Sequence, residues 1–319
     1  MAFAHAGPGE ALTTDGTGAD SRLIAVPERK DCWADWLAER RFGSSDPELR
    51  RQFMDKLVRV RDKVLDRAAL KQGEKLLDVG AGEGWIGFGA FGRGAGEVVF
   101  SDISTDVLDA CREAAEELGV AERCDYVEAA ANDLSALEDA SVDVVTTRSV
   151  LIYVAEKQQA LREFFRVLRP GGRVSLFEPI NRFALREESE PSFWLGARYP
   201  ADGIADLAER LNAVYADLQP PSDPMLDFDE RDLIRFAEEA GFFPVELDYY
   251  AEMRPAEPRP WEALLHSSGN PRIPTVGEAM DKVLTPAERD RVAAHLRPLV
   301  EAGLGVWQMA TAFLWASRP

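Results

Sequence analysis

Residues 76–89 read LLDVGAGEGWIGFG, an apolar run that ends in an acid, Asp78, and passes into a cluster of glycines. Residues of these types at this spacing hold a ligand. Glycines let the backbone approach a bound molecule, and a carboxylate at the end of a strand accepts hydrogen bonds from it. Two readings share the stretch. Gly82, Gly84 and Gly87 spell G-x-G-x-x-G, with Asp102 twenty residues after Gly82, as in a dinucleotide-binding fingerprint. Gly80, Gly82 and Gly84 equally spell G-x-G-x-G, with Asp78 two places before the first glycine. Asp78 separates the two. A carboxylate there can hold a free α-amino group but repels a pyrophosphate, so the loop suits a nucleoside that carries an amino acid. Asp102, closing VVFSD, can accept both ribose hydroxyls and would serve either ligand.

The surrounding pattern says what positions these residues. Short apolar runs predict strands at 75–79, 97–101, 124–128, 143–147 and 173–178. Between them, Val107, Leu108, Cys111, Ala115 and Leu118 form one helical stripe, and Leu161, Phe164, Phe165 and Leu168 another, closed by RPGG. Alternating strands and helices imply right-handed crossovers and a parallel sheet. Ahead of this core, 31–70 reads as helical. Trp33, Trp36 and Leu37 share a face, Asp46 and Pro47 make a helix start, and Leu49, Phe53, Leu57, Val60 and Val64 recur at helical spacing. After 183 the rhythm breaks into proline- and aromatic-rich stretches. They are interrupted by the helix FDERDLIRFAEEAG, stopped at Gly241, by the strand FFPVELDYY, and by a helix opened by a capping box at Thr285 and Glu288. VWQMATAFLWASRP supplies a last strand, expected to insert antiparallel near the sheet's edge.

The fold expected is α/β: a doubly wound, mostly parallel, seven-stranded Rossmann-like sheet with an antiparallel last strand, a helical N-terminal extension and lid inserts. The chain divides into a flexible tail at 1–25, a helical cap at 26–71 and the ligand-binding core at 72–182. A helical or irregular lid follows at 183–228, then a core helix and strand at 229–251, a second substrate-side insert at 252–304 and the terminal strand at 305–319.

Lysine and arginine total 37 against 56 acids, a net charge of −19. Such a surface repels phosphate backbones and anionic lipid, so nucleic acid and membrane are poor partners. Cys32, Cys111 and Cys124 offer neither a disulfide framework nor paired metal spacing, which fits a reducing cytoplasm. With His5, His266 and His295 alone, no metal site is expected. No apolar run approaches the ~20 residues of a membrane span, and the first residues lack the basic start and apolar core of a secretory signal.

Taken together, LLDVGAGEG, VVFSDIS, ANDLSALEDASVDVVTTRSVLIYV and VLRPGGRVSLFEP resemble the class I S-adenosylmethionine-dependent methyltransferases, over residues 72–180, 229–251 and 305–317. The resemblance implies S-adenosylmethionine as cofactor. Gly80, Gly82 and Gly84 would approach its methionyl part and Asp78 would orient its amino group. Asp102 would hold the ribose, Ile103 would pack on adenine, and Arg148 and Ser149 would lie beside the methionyl group. Ala130 stands where the family commonly has an acid for the adenine edge, so Asn132 or Asp133 would substitute. Asp133 reads equally as a helix cap.

For the acceptor, Glu178 and Arg182 flank the end of strand five, Tyr153 follows strand four, and His266 lies in a loop as a candidate base. Trp194, Arg198, Tyr199, Tyr215 and Trp261 are expected to roof the strand ends with the inserts. Trp33, Trp36 and Phe53 read as packing of the N-terminal helices rather than a substrate cage, and His295 as structural. The acid-and-asparagine spacing of metal-dependent catechol methyltransferases is missing after strand four, and so is the Asn/Asp-Pro-Pro-aromatic motif of amino-methyltransferases. The acceptor expected is a small polar metabolite, methylated on N, S or O by in-line displacement. Rival readings are an NAD-linked oxidoreductase, a catalytically silent S-adenosylmethionine-binding protein, and a protein or nucleic-acid methyltransferase. The 183–228 insert reads as a lid or as a contact in a homodimer.

Overall fold

The computed structural model describes residues 31–41, 43, 47–184 and 198–319, without the side chains of 47–50, 52 and 53. Seven strands form one sheet in the order β3-β2-β1-β4-β5-β7-β6. β1 (Lys75–Val79), β2 (Glu97–Asp102), β3 (Cys124–Glu128), β4 (Val142–Arg148) and β5 (Leu168–Pro179) are mutually parallel. β7 (Val306–Ser317) runs antiparallel between β5 and the edge strand β6 (Val245–Pro255). The expected sheet, with its antiparallel last strand, is the one found.

Two boundaries moved. The stripe expected to carry its helix through Leu168 ends at Val167, because Leu168 leaves the helix to pair with Val142 as β5 begins. RPGG therefore lies inside an irregular strand start, with a register shift between Val142 and Val144. β6 begins only at Val245 and continues to Pro255, because β7 pairs with it residue by residue over that whole length.

Both faces of the sheet are covered. One apolar cluster joins Leu77, Val145 and Leu176 to the helices Lys157–Val167 and Glu230–Ala240; the other joins Leu76, Val98 and Phe100 to Val64, Leu65, Ile86 and Cys111. A third cluster is separate. It is made of Tyr199, Leu207, Leu211, Trp261, Met280, Val292 and Leu296, contributed by both inserts. The inserts leave the sheet after β5 and after β6, at the carboxyl ends of the parallel strands, and fuse into one helical layer there. Its helices start as their sequences direct: Thr275 with Glu278 and Thr285 with Glu288 form capping boxes. Among the described residues no helix is long and apolar enough to cross a membrane.

Candidate active site

β1 delivers the chain into the glycine loop at its carboxyl end. Gly80, Gly82 and Gly84 have φ of 63°, 52° and 73°, a left-handed run that side chains resist and glycine permits. A Cβ on Gly80 would lie 2.3 Å from Val150 Cγ2, so the loop is pressed against the segment that follows β4. Above Gly82 the nearest atom to such a Cβ is Leu37 Cδ1, at 3.9 Å. The backbone is thus bare on the side where a ligand would lie, and Leu37 roofs it.

Asp78 and Asp102 hold this loop in shape. Asp78 is buried; its Oδ2 accepts from the Gly87 N–H at 2.9 Å and its Oδ1 from the Thr146 hydroxyl at 3.2 Å. Burial pushes its pKa up to about 7, against the pull of those bonds. Asp102 accepts from Gly82 N–H at 3.0 Å and from Ser104 N–H at 3.1 Å, and burial raises its pKa too. A carboxylate offers about four lone-pair sites, so each keeps capacity for a ligand.

Beside Asp102, the ends of β2 and β3 border an open hollow of about 300 Å³ lined by Ile103, Glu128, Ala129, Ala130, Asp133, Ser135 and Ala136. Ile103, 48 % exposed, offers its apolar side chain to it. Asp133 lines the hollow, and the Ser135 hydroxyl together with the Ser135 N–H, at 3.2 Å, holds its carboxyl below the usual range. Asn132 instead donates to Glu156 at 3.1 Å.

On the other side of the loop, β4 ends at Arg148 and the chain turns through Ser149 at φ 56°, an uncommon conformation for a side-chain-bearing residue. That turn aims three N–H groups at Glu178. Val150 and Leu151 donate to its Oε1, each at 2.9 Å, and Ile152 to its Oε2 at 3.2 Å. Glu178 is 0 % exposed, and burial pushes its pKa up to about 7. The expectation of a group open to an acceptor thus meets a clamp beneath the 150–152 turn. Tyr153 follows, its pKa pushed up to about 12 by burial. Its ring meets the edge of Trp33 at 4.9 Å, and the Arg272 guanidinium stands 5.9 Å from the Trp33 ring.

The segment 31–41 straps across this mouth. Asp31 caps the short helix Cys32–Asp35 and accepts from the Ser104 hydroxyl at the end of β2. At its far end Trp36 donates to the Ser268 carbonyl at 3.0 Å, Arg40 pairs with Glu278 at 2.6 Å, and Arg41 lies 3.7 Å from Glu83 in the glycine loop. Burial and the nearby Arg148 guanidinium bring the Arg41 pKa down to about 10. Arg41, Glu83, Thr146 and Arg272 were not singled out in the sequence. Arg41, Glu83 and Arg272 are isolated charged residues in turns, which carry no spacing that marks them, and Thr146 sits inside β4, where a buried threonine reads as strand. Trp33, expected to serve helix packing, reaches the mouth instead.

Several expected acceptor residues lie elsewhere. Tyr199, Tyr215 and Trp261 are buried in the helical layer's own core, where an acceptor cannot meet them. The Arg198 guanidinium stacks 4.1 Å from the Trp307 ring. The exposed His266 ring bonds its own helix through the Glu262 carbonyl at 2.8 Å, and His295 meets the Pro200 carbonyl at 2.8 Å. Arg182 is exposed on the short turn Asn181–Ala184. Asp46, Trp194 and the Phe53 side chain fall outside the described residues.

Comparison with known proteins agrees with this geometry. A family model described as a methyltransferase domain matches residues 77–176. The chain is 34 % identical over 127 residues to the ubiquinone/menaquinone biosynthesis C-methyltransferase of Cronobacter sakazakii, covering 37 % of this chain and 50 % of that protein. It is also 34 % identical over 115 residues to the tRNA 5-carboxymethoxyuridine methyltransferase of Escherichia coli K12, covering 35 % and 44 %. The chain thus spans about half the length of these curated relatives or less. In fold it is similar to the BH2331 protein of Bacillus halodurans C-125, at TM-score 0.51 and 19 % identity, covering 81 % of this chain and 98 % of that one. The YcgJ protein of Bacillus subtilis gives 0.50 at 15 %, covering 81 % and 97 %. Residues 77–176, from β1 into β5, thus carry a methyltransferase domain, built on the seven-stranded sheet and opened by the acid-and-glycine loop.

Proposed function

We propose that this protein transfers the methyl group of S-adenosylmethionine to an N, S or O atom of a small polar metabolite by in-line displacement. The observation that carries the reading is the strap at 31–41. It runs from Ser104 to the helical layer across the carboxyl ends of the strands, which favours a small acceptor that fits beneath it over a folded macromolecule. Gly80, Gly82 and Gly84 would let the backbone meet the methionyl part. Asp78 would hold the loop and the amino group, Asp102 would take the ribose hydroxyls with its remaining lone pairs, and Ile103 with Asp133 would flank adenine in the 300 Å³ hollow.

When bound, the cofactor supplies an electrophilic methyl on a good leaving group. The chain's task is then to hold an acceptor in line and keep water out, which can supply several kcal/mol of a barrier on the order of 20. Tyr153 fits that task as a hydrogen-bond donor. Its phenol stays protonated at neutral pH, so it positions an acceptor atom instead of removing a proton. Glu178 acts through the 150–152 turn as a positioning residue. Arg182 and His266 have no contact with these groups among the described residues, and we give neither a step.

Calorimetric titration with S-adenosylmethionine, S-adenosylhomocysteine and NAD, on wild type and Asp102→Ala, tests the cofactor assignment. Binding of both sulfur nucleosides in the range of about 1–100 μM, weakened at least about tenfold by the substitution, with none for NAD, is expected. Binding of NAD alone would favour the oxidoreductase. Transfer of an isotopically labelled methyl to members of a metabolite panel, read by mass spectrometry, then tests turnover and separates an enzyme from a silent binder.

A further inference from the structure

β6 is the last strand of the sheet, and among the described residues no strand lies against its outer edge. It pairs with β7 without a break from Val245 to Pro255, so no bulge bends that edge away. The phase of the ladder follows from its two ends. The Ala256 N–H donates to the Gly305 carbonyl at 2.9 Å, and the Ser317 N–H to the Pro244 carbonyl at 3.1 Å. Backbone groups alternate along an antiparallel pair, so the even-numbered residues of β6 turn theirs toward β7. Those of Leu247, Tyr249, Ala251 and Met253 therefore point outward, in position to bond a further strand.

The side chains on the two faces of this edge are also unfinished. Val245 and Leu247 pack against the apolar cluster that holds the helix Glu230–Ala240. The same row continues through Tyr249, Ala251 and Met253, all exposed, Met253 at 66 %. The opposite face carries Glu246, Asp248, Tyr250, Glu252 and Arg254. Lys63 and Arg67 both meet Oδ2 of Asp248, at 2.9 and 3.0 Å, which leaves Oδ1 for another donor.

We propose that β6 pairs antiparallel with β6 of a second copy of this chain, about a two-fold axis at Ala251, joining two sheets into one. Outward groups must face outward groups, so the axis passes through a residue of the strand, and the charges select which one. With the axis at Ala251, Asp248 of each copy stands opposite Arg254 of the other and Tyr249 opposite Met253, an ion pair and a sulfur–aromatic contact, each made twice. Glu252 then falls opposite Tyr250, over whose ring the Lys63 ammonium stands at 4.1 Å. Other registers are worse. An axis at Tyr249 sets Glu246 against Glu252 twice, one at Tyr250 sets Asp248 against Glu252 twice, and one at Glu252 sets that acid against its own copy. An axis at Met253 leaves only a short ladder between Ala251 and Pro255, whose ring has no N–H to give.

β6 lies at the opposite edge of the sheet from the hollow beside β2 and β3, so the pairing leaves that hollow open and is independent of the methyltransferase reading. Sedimentation equilibrium of the full chain tests it first, with a dimer of dissociation constant about 1–50 μM expected. Arg254→Glu and Asp248→Lys each set like charges opposite one another twice, and each is expected to weaken the dimer about tenfold or more. Mixing the two variants is expected to restore a heterodimer, because every cross-strand pair is then of opposite charge. In the proposed register the two copies of residue 251 have Cα atoms about 5.5 Å apart, and the two copies of residue 249 about 14 Å apart. Mild oxidation should therefore link Ala251→Cys into disulfide dimers well beyond the wild-type background, and Tyr249→Cys should not exceed that background. A chain that stays monomeric up to about 100 μM overturns the proposal. A dimer that well-folded charge variants leave intact, or that Ala251→Cys fails to link, overturns it too, since the contact then lies elsewhere. Where a charge variant does not melt cooperatively, the cysteine pair decides alone.

Discussion

Glu178 shows how one buried side chain can shape a candidate site through the backbone it holds. Its two oxygens accept from three successive backbone N–H groups, which fixes the turn that carries Tyr153 and faces Gly80 through Val150. Replacing it by glutamine keeps the shape but turns an amide N–H₂ toward a backbone donor, leaving that donor unsatisfied at a cost of about 1–3 kcal/mol. The folded-state pKa is raised to about 7 from an unfolded value near about 4.3, so the carboxyl's stability is fully present below the lower value and is lost as pH rises to the upper one. The expected result in urea unfolding is therefore a wild type more stable than Glu178→Gln near pH 4, with the gap narrowing toward pH 8. A gap that stays constant with pH would mean that Glu178 is ionised in the fold throughout.

At the scale of elements, the strap 31–41 crosses the mouth of the candidate site, and Asp31 fastens it twice. It caps the first helical turn through the Trp33 and Ala34 N–H groups at 2.8 and 3.0 Å, and it accepts from the Ser104 hydroxyl. Loss of such a cap costs about 0.5–2 kcal/mol locally. Asp31→Ala is expected to speed hydrogen exchange across 32–40 and to weaken S-adenosylhomocysteine several-fold, while the global unfolding midpoint moves little. If exchange there is unchanged, the strap is held by Trp36 and Arg40 at its far end.

Little of this strap was legible in the sequence, and the reason is physical. The central strands were legible because they are short apolar runs buried on both faces, such as Leu76–Leu77 or Val98–Phe100, and buried parallel strands leave that mark. The glycine loop was legible because positive φ at three nearby positions demands glycine. The strap instead is held by single side-chain contacts across more than two hundred residues, such as Trp36 to Ser268, and no local period records those. The same holds for the inserts. Tyr199, Tyr215 and Trp261 looked like a substrate roof, but aromatic residues are needed equally by the third core they build. Glu178 stood where an acceptor group would, and only the Ser149 turn shows its oxygens already taken.

Across the whole molecule the decisive quantity is charge. One relative of the matched domain is named as a tRNA methyltransferase, and this chain could in principle offer its chamber to a polynucleotide end. Proteins that grip nucleic acid neutralise phosphates with surface lysine and arginine, and their affinity falls steeply with salt as counterions are released. Here 56 acids outweigh 37 basic residues. Many exposed basic side chains are already paired with carboxylates, as Lys56 is with Glu257 at 2.6 Å and Arg210 with Glu288 at 2.6 Å. The Arg41 guanidinium, beside Glu83 in the glycine loop, is 12 % exposed and offers no face that a phosphate backbone could follow. A small metabolite meets this surface only locally, whereas a polyanion must bring its whole charge against it. Fluorescence titration with bulk tRNA at physiological salt is therefore expected to show no saturable binding, and lowering the salt to about 50 mM should not restore it. Saturable binding with a steep inverse dependence on salt would show that phosphate contacts outweigh the net charge, and would move the acceptor from a small metabolite to a nucleic acid.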